Sequence, residues 1–232
     1  MVTYFRKSGD SLYQACIFDL DGTLVNTLAS IAYFANKALG ACGYPAIPLE
    51  QYRYLVGNGA KRLMYNMLDT VAKGQYTDED IARLRKIYDA LYESDPTYIA
   101  THYPGMPEII SELKKSGFKL AVLSNKPHNC TTAIIDALFP AGTFDRCYGQ
   151  RPEVERKPSP QGALLIAEEL RVLPERCLYI GDTNTDMKTG NAAGMDTCGV
   201  LWGFRDREEL EENHACYIIE QPRELLAIAG KR

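Results

Sequence analysis

Ala15-Cys16-Ile17-Phe18-Asp19-Leu20-Asp21-Gly22-Thr23-Leu24 decides how this chain is read. A short apolar run ends in two carboxylates one residue apart, followed by a glycine and a threonine. A strand alternates its faces, but the chain leaves the strand at this point, so both acids can converge on one small site. Two carboxylates beside a tight turn suit a hard cation such as Mg²⁺. They also suit a nucleophile and a general acid/base working as a pair.

Downstream of Leu24 the periodicity changes from strand to helix. Asn26 or Thr27 is placed to cap, and Ile31, Phe34, Ala35, Ala38 and Leu39 follow at helical spacing until Gly40–Pro48 breaks the pattern. A second helix is expected around 60–70, with Leu63, Met64, Met67 and Leu68 on one face. A third opens at Thr77-Asp78-Glu79-Asp80, which has the form of a capping box, and Ser94-Asp95-Pro96 punctuates it.

From about residue 99 helices alternate with short apolar strands. Helices are expected over 107–116, 128–138, 159–170 and 186–193, and strands over 119–124, 146–148, 177–180 and 197–201. That alternation predicts an α/β fold, a doubly wound parallel sheet with helices on both faces. Residues 27–96 interrupt it after the first strand, so the expected organisation is a catalytic core of 1–26 and 97–232 with an all-helical insert.

Composition narrows the class. The 232 residues are 46% hydrophobic and 24% charged, ordinary for a globular protein. The net charge of −4 and the lack of a basic run argue against a nucleic-acid partner. No apolar stretch is long enough to span a bilayer, and Met1 to Gln14 lacks the apolar segment of a signal peptide. The seven cysteines contain no C-x-x-C pair, and several lie in apolar runs, which points to reduced thiols and a cytoplasmic setting.

In open α/β sheets, ligands bind beyond the carboxyl ends of the strands. Those ends deliver Asp19 and Asp21, then Ser124 and Asn125, then Lys157 in Arg156-Lys-Pro-Ser-Pro160, then Gly181-Asp182-Thr-Asn-Thr-Asp186. Four carboxylates, one hydroxyl and one lysine at one edge favour phosphoryl transfer, in which catalysis is mostly positioning and charge stabilisation. A carboxylate nucleophile would be repelled by a phosphate dianion, and a divalent cation held by Asp19 and Asp182 would relieve that repulsion. Ser124 and Lys157 are suited to the remaining phosphate oxygens. Asp21 is suited to protonate the leaving oxygen and then deprotonate water.

Asp19-Leu-Asp-Gly-Thr-Leu24, Leu123-Ser124-Asn125, Lys157-Pro158 and Gly181-Asp-Thr-Asn-Thr-Asp186 resemble, in order, the four motifs of the haloacid dehalogenase superfamily. The resemblance runs from about Cys16 to Leu226. It implies Asp19 as a nucleophile that carries an aspartyl-phosphate and Asp21 as the acid/base. It also implies Mg²⁺ held by Asp19, the Asp21 carbonyl, Asp182 and Asp186, and a small helical cap closing over the site. An aspartate at position 21 resembles the phosphatases and phosphomutases of the superfamily rather than its true dehalogenases. Thr23, the loop Val56-Gly57-Asn58-Gly59-Ala60 and Ser124-Asn125-Lys126-Pro127 resemble the phosphoglycolate phosphatase branch. That branch implies a small phosphorylated metabolite as partner, 2-phosphoglycolate foremost, met by Thr23, Asn58, Gly59, Lys61 and Asn125. A monomer or homodimer is expected. A sugar phosphomutase or a pyrophosphatase would use the same core. A phosphate-storing receiver would lack the helical insert.

The same residues have plainer readings. Ser124 is placed to cap the following helix, acids at 182 and 186 suit a helix start for its dipole alone, and Gly57 and Gly59 suit simple turns. Lys61 and Arg62 fit the wet face of a helix. Nine of the 15 tyrosines lie between Tyr33 and Tyr98 and are expected to pack the insert rather than touch a ligand. Trp202 is expected to pack beneath the site, and the three histidines have no metal-ligand spacing.

Overall fold

The computed structural model describes residues 13–230, so most of the segment read as lacking a signal peptide lies outside the described residues. Strand β1 (Ala15–Phe18) is buried along its whole length. It pairs in parallel with β4 (Lys119–Pro127) on one side, Cys16 opposite Leu120, and with β6 (Cys177–Gly181) on the other, Cys16 opposite Leu178. Strands covered on both faces need no polar alternation, which is why these read as unbroken apolar runs. The sheet continues outward through β5 (Arg146–Gln150) beyond β4, and through β7 (Asp196–Val200) and β8 (Tyr217–Ile219) beyond β6. All five pairings are parallel. The order β5-β4-β1-β6-β7-β8 reverses direction at β1, so the crevice beyond Phe18 is the natural ligand site.

Helices cover both faces. On one, Phe18, Leu120, Val122 and Ile180 pack with Ile109, Ile110 and Leu113 of α5 (Met106–Lys115), Ile134 of α6 (His128–Leu138) and Leu225 of α10 (Glu224–Ala229). On the other, Ile17, Ala121 and Tyr179 pack with Ala163 and Ile166 of α7 (Gln161–Leu170). Helices α8 (Asn184–Ala192) and α9 (Arg207–Glu212) complete the core.

Between β2 (Val25–Asn26) and β3 (Thr101–His102) run four helices, α1 (Leu28–Ala41), α2 (Leu49–Leu55), α3 (Gly59–Ala72) and α4 (Asp78–Ser94). They bury an apolar cluster of their own, including Phe34, Leu39, Met64, Leu68 and Leu84. Strands β2 and β3 pair antiparallel, so the chain enters and leaves the helical insert side by side.

The structure departs from the sequence reading in places. Helix α2 falls between the break at 40–48 and the helix expected from about residue 60, where no element was expected: its seven residues bury only Tyr52 and so carry no apolar stripe. The edge strand β8 was not expected because it has three residues, two of them half-buried. Thr27 does begin α1, but no side-chain bond caps that helix, because the hydroxyl donates to Asp21 Oδ1 at 2.7 Å. Ser124 caps no helix either, since β4 runs on to Pro127 before α6 starts.

Candidate active site

Asp19 leaves β1 with its backbone N–H still bonded to Ile180 O, and its Oδ1 accepts the Leu20 N–H at 2.7 Å. Lys157 Nζ stands 2.9 Å from that same oxygen and 2.7 Å from Asp186 Oδ1. Asp182 follows β6 and is fully buried; its Oδ1 accepts the Thr23 hydroxyl at 2.9 Å and its Oδ2 the Phe204 N–H at 2.8 Å. Asp186 closes a capping box with Thr183 at the start of α8, so part of its role is the structural one read from sequence.

Two glycines make room for Asp182. Gly22 has φ +88°, and a Cβ there would fall 2.3 Å from Asp182 Oδ2; a Cβ on Gly203 would fall 2.3 Å from the Asp182 Cβ. The glycine of Asp19-Leu-Asp-Gly therefore does more than turn the chain: it lets a second carboxylate reach the first.

Oxygens of Asp19, Asp182 and Asp186 lie within 4.8 Å of one another. Burial pushes the Asp19 carboxyl up to about 7, against the pull of Lys157. Burial, reinforced by Asp186 and Asp19, pushes Asp182 well above the usual carboxylate range. Burial alone would lower the Lys157 ammonium, but Asp186 and Asp19 outweigh it and hold the group charged. Three buried carboxyl groups thus share one buried ammonium, too little positive charge for all three to ionise without a cation, within an all-oxygen donor set. That set fits a hard divalent cation such as Mg²⁺. The Asp21 carboxylate stands apart from it.

Asp21 turns toward the helical insert. Its Oδ1 accepts from Thr27, and its Oδ2 lies 3.1 Å from Lys126 Nζ. Lys126 is buried, donates to the Tyr92 hydroxyl of α4 at 3.0 Å and sits 4.3 Å from that ring's centre. Burial opposes its charge, yet Asp21, with Tyr92 and Tyr88, raises its pKa above the usual lysine value.

A cavity of about 60 Å³ lies between core and insert. Asp19, Asp21, Ser124, Asn125 and Lys157 line its floor; Val56, Gly59, Leu63, Tyr88 and Tyr92 line the insert side. Phe204 crosses from the core to join the insert's apolar cluster. Latches hold the two parts together. Arg205 donates to Arg53 O and, at 2.8 Å, to Val56 O; Arg53 donates to Phe204 O at 2.6 Å; Thr185 donates to Asn58 Oδ1 at 2.8 Å.

Of the residues expected at the site, Asp19, Asp21, Ser124, Lys157, Asn125 and Gly59 meet at the cavity, with Asp182 and Asp186 behind them. The structure places three of the expected residues away from the cavity lining. Thr23 is fully buried and holds Asp182 instead of lining the cavity. Asn58 docks on Thr185, and Lys61 is exposed on α3; neither lines the cavity. Asn125 does line it, but its amide is spent at both ends on the Lys157 backbone, donating to O and accepting from N, each at 3.0 Å. It clamps the lysine segment in place. Sequence reasoning missed Lys126, Tyr88 and Tyr92. The signal for Lys126 was present in its place directly after Ser124-Asn125, whereas the two tyrosines could not be told from the packing tyrosines around them. Trp202 packs against the core, as expected, with Nε1 donating to Thr23 O at 3.0 Å.

Comparison with known proteins agrees with this architecture. Residues 16–200 match the family described as haloacid dehalogenase-like hydrolases. The phosphoglycolate phosphatase of Aquifex aeolicus is 35% identical over 188 residues, 81% of this chain and 84% of that protein. The phosphoglycolate phosphatase of Mannheimia succiniciproducens is 30% identical over 223 residues, covering 94% and 99%. Among solved structures, one described as a predicted phosphoglycolate phosphatase from Haemophilus somnus superposes with a TM-score of 0.87 at 26% identity, over 95% of this chain and 99% of that one. CbbY from Rhodobacter sphaeroides, in complex with phosphate, superposes with a TM-score of 0.77 at 25% identity, over 94% and 99%.

Proposed function

The chain belongs to the haloacid dehalogenase-like hydrolase family, and from that footing we propose that it is a Mg²⁺-dependent phosphatase of small phosphate monoesters, acting through an aspartyl-phosphate. The observation that carries this reading is the convergence of Asp19 with Lys157 on one side and Asp21 on the other, at the floor of one cavity. With Asp19 Oδ1 bound to Leu20 and Lys157, Oδ2 is the oxygen left for attack.

In this proposal Asp19 Oδ2 attacks phosphorus, and the bond from phosphorus to the ester oxygen breaks. Asp21 gives that oxygen its proton, and the alcohol leaves. A water molecule then attacks the phosphorus of the aspartyl-phosphate, passing a proton to Asp21; inorganic phosphate leaves and the Asp19 carboxylate is restored. Lys157 and Ser124 hold the phosphoryl oxygens, and Thr27 with Lys126 aims Asp21. Asp19, Asp182 and Asp186 would hold the Mg²⁺, which when bound neutralises charge between nucleophile and phosphate.

We propose that residues 27–96 act as a cap, closing the site to bulk water. A cavity of about 60 Å³ holds only a few water molecules at roughly 10–15 Å³ each, which favours a small leaving group. The best candidate substrate is 2-phosphoglycolate, the compound in the names of the relatives. Free thiols at all seven cysteines support a reducing, cytoplasmic setting, and among the described residues no helix is long and apolar enough to cross a membrane.

The test is phosphate release from a panel of small esters and pyrophosphate, with Mg²⁺ or EDTA, by wild type and Asp19→Asn. Metal-dependent release, reduced at least about a thousandfold in the variant, is the expected result. Release unaffected by the substitution would overturn the assignment of the nucleophile, and interconversion of a sugar phosphate without net release would favour a mutase.

A further inference from the structure

A second pocket, of about 370 Å³, opens against the first and shares Ala60, Asn125 and Pro127 with it. Its remaining charged lining is three arginines: Arg85 from α4 of the insert, and Arg151 and Arg156 from the core segment between β5 and α7. No acid lines it, in a chain whose net charge is −4. The pocket therefore concentrates positive charge against the global balance, at the seam where cap and core meet.

The three guanidinium groups are committed to different degrees. Arg85 pairs with Asp89 at 2.5 Å. Arg151 stacks 3.9 Å from the centre of the Tyr148 ring and lies 3.6 Å from Glu153, while its buried Nε has no hydrogen-bond partner. Arg156 has no ion pair or side-chain hydrogen bond with any described residue. Yet its place is fixed closely: a Cβ on Gly59 would stand 3.2 Å from Arg156 Nη1 and 4.0 Å from the Asn125 Cβ. Gly59 and Asn125 both line the reaction cavity. A planar, always-charged group with free donors thus stands beside two residues of that cavity's lining, one residue before Lys157.

Glu93 and Asp89 line the cavity on the α4 side, and only Asp89 has its charge answered, by Arg85. A negative group on the far end of a substrate is repelled there and attracted toward Arg156.

Building on the phosphatase reading, we propose that Arg156, backed by Arg151 and Arg85, forms an anion subsite, and that the preferred substrate is a phosphate ester with a second anionic group on its leaving part. A carboxylate or a second phosphate offers the same chemistry to a guanidinium, as a charge-assisted, paired acceptor. The first suits a leaving group held inside the small cavity, and the second a longer one that reaches into the arginine pocket.

The experiment measures kcat/KM for matched pairs of esters, in wild type, Arg156→Gln and Arg151→Gln, with thermal melts to confirm folding. One pair is 2-phosphoglycolate against 2-hydroxyethyl phosphate; the other is fructose 1,6-bisphosphate against fructose 6-phosphate. The readout is the ratio of doubly to singly anionic ester. Wild type is expected to favour the doubly anionic member of at least one pair, and Arg156→Gln to lower that ratio by about tenfold or more, with partial recovery in Arg156→Lys. The pair that responds tells carboxylate from phosphate. A ratio that stays within about twofold in Arg156→Gln, or a wild type that shows no preference in either pair, overturns the subsite while leaving the phosphatase reading intact. A wild type that also fails on p-nitrophenyl phosphate with Mg²⁺ overturns both.

Discussion

At the scale of single residues, several polar side chains at this site act on other protein groups before they act on any ligand. Asn125 is the clearest case. Both ends of its amide are bonded to the Lys157 backbone inside the protein, so truncation strands a buried donor and acceptor at about 1–3 kcal/mol. Asn125→Ala is therefore expected to lower stability by roughly that amount and to reduce kcat/KM through a displaced Lys157; unchanged melting would mean the clamp carries no load. Asp145, remote from the site, gives a pH test. Burial alone would raise its carboxyl, but the Leu120 N–H and Lys114, both at 2.9 Å, outweigh burial and hold its pKa below the ordinary value. A depressed acid contributes stability that is present above its unfolded pKa of about 3.9 and lost as pH falls through the folded value. Asp145→Asn should cost about 1 kcal/mol at pH 7, with the gap to wild type closing below about pH 4 in urea melts. The meeting of Asp19 and Lys157 was legible in sequence, because each stands in a motif at the carboxyl edge of the sheet. Individual residues were not legible where side-chain direction decides, as with Thr23, which points into the core, or Lys61, which points to solvent.

At the scale of elements, local signals predicted helices well where they were strong. Thr77 and Asp80 do close a capping box at the start of α4, with Asp80 N donating to Thr77 Oγ1 at 3.2 Å. Helix α2 and strand β8 escaped because each is short and buries little, so no period stood out. The loops that latch insert to core escaped for another reason: they are bonded through backbone carbonyls, which leave no mark on composition. Arg205 is the centre of that latch. It donates to Arg53 O and Val56 O, while its Nε pairs with Glu209 at 3.1 Å. Losing charged hydrogen bonds of about 1.5–3 kcal/mol each should free the 53–59 loop more than the sheet. Arg205→Ala is expected to raise KM severalfold with a smaller change in kcat, and to speed amide exchange at Val56 and its neighbours. Equal exchange in variant and wild type would show that apolar packing of Phe204, and not the latch, holds the insert down.

For the molecule as a whole, the parallel order of the sheet was legible because buried strands and amphipathic helices alternate in sequence, and the motifs mapped to one edge because parallel strands all end there. The strand order carried the rest: with β4 and β6 flanking β1, carboxylates some 160 residues apart in sequence become neighbours. That assembly is costly without a ligand. Asp19, Asp182 and Asp186 share one lysine, and burial holds Asp182 far from its ordinary titration. On the proposed reading the protein trades stability for a cation site, so a change that removes one acid should stabilise the metal-free fold while abolishing the proposed phosphatase activity. Asp182→Asn is the suitable change, because an asparagine there keeps both bonds: its carbonyl accepts the Phe204 N–H, and its amide donates to the Thr23 oxygen. In EDTA the variant is expected to melt higher than wild type, by roughly 2–4 °C for each kcal/mol of relieved repulsion. Adding Mg²⁺ should then raise the wild-type melting point, by an amount equivalent to about 2.7 kcal/mol at a hundredfold excess over Kd, and leave the variant where it was. Differential scanning calorimetry on both proteins, with and without metal, checks the two signs together. A variant that melts lower in EDTA would mean the carboxylate cluster is already balanced without a cation, and the charge deficit would no longer argue for a divalent ion.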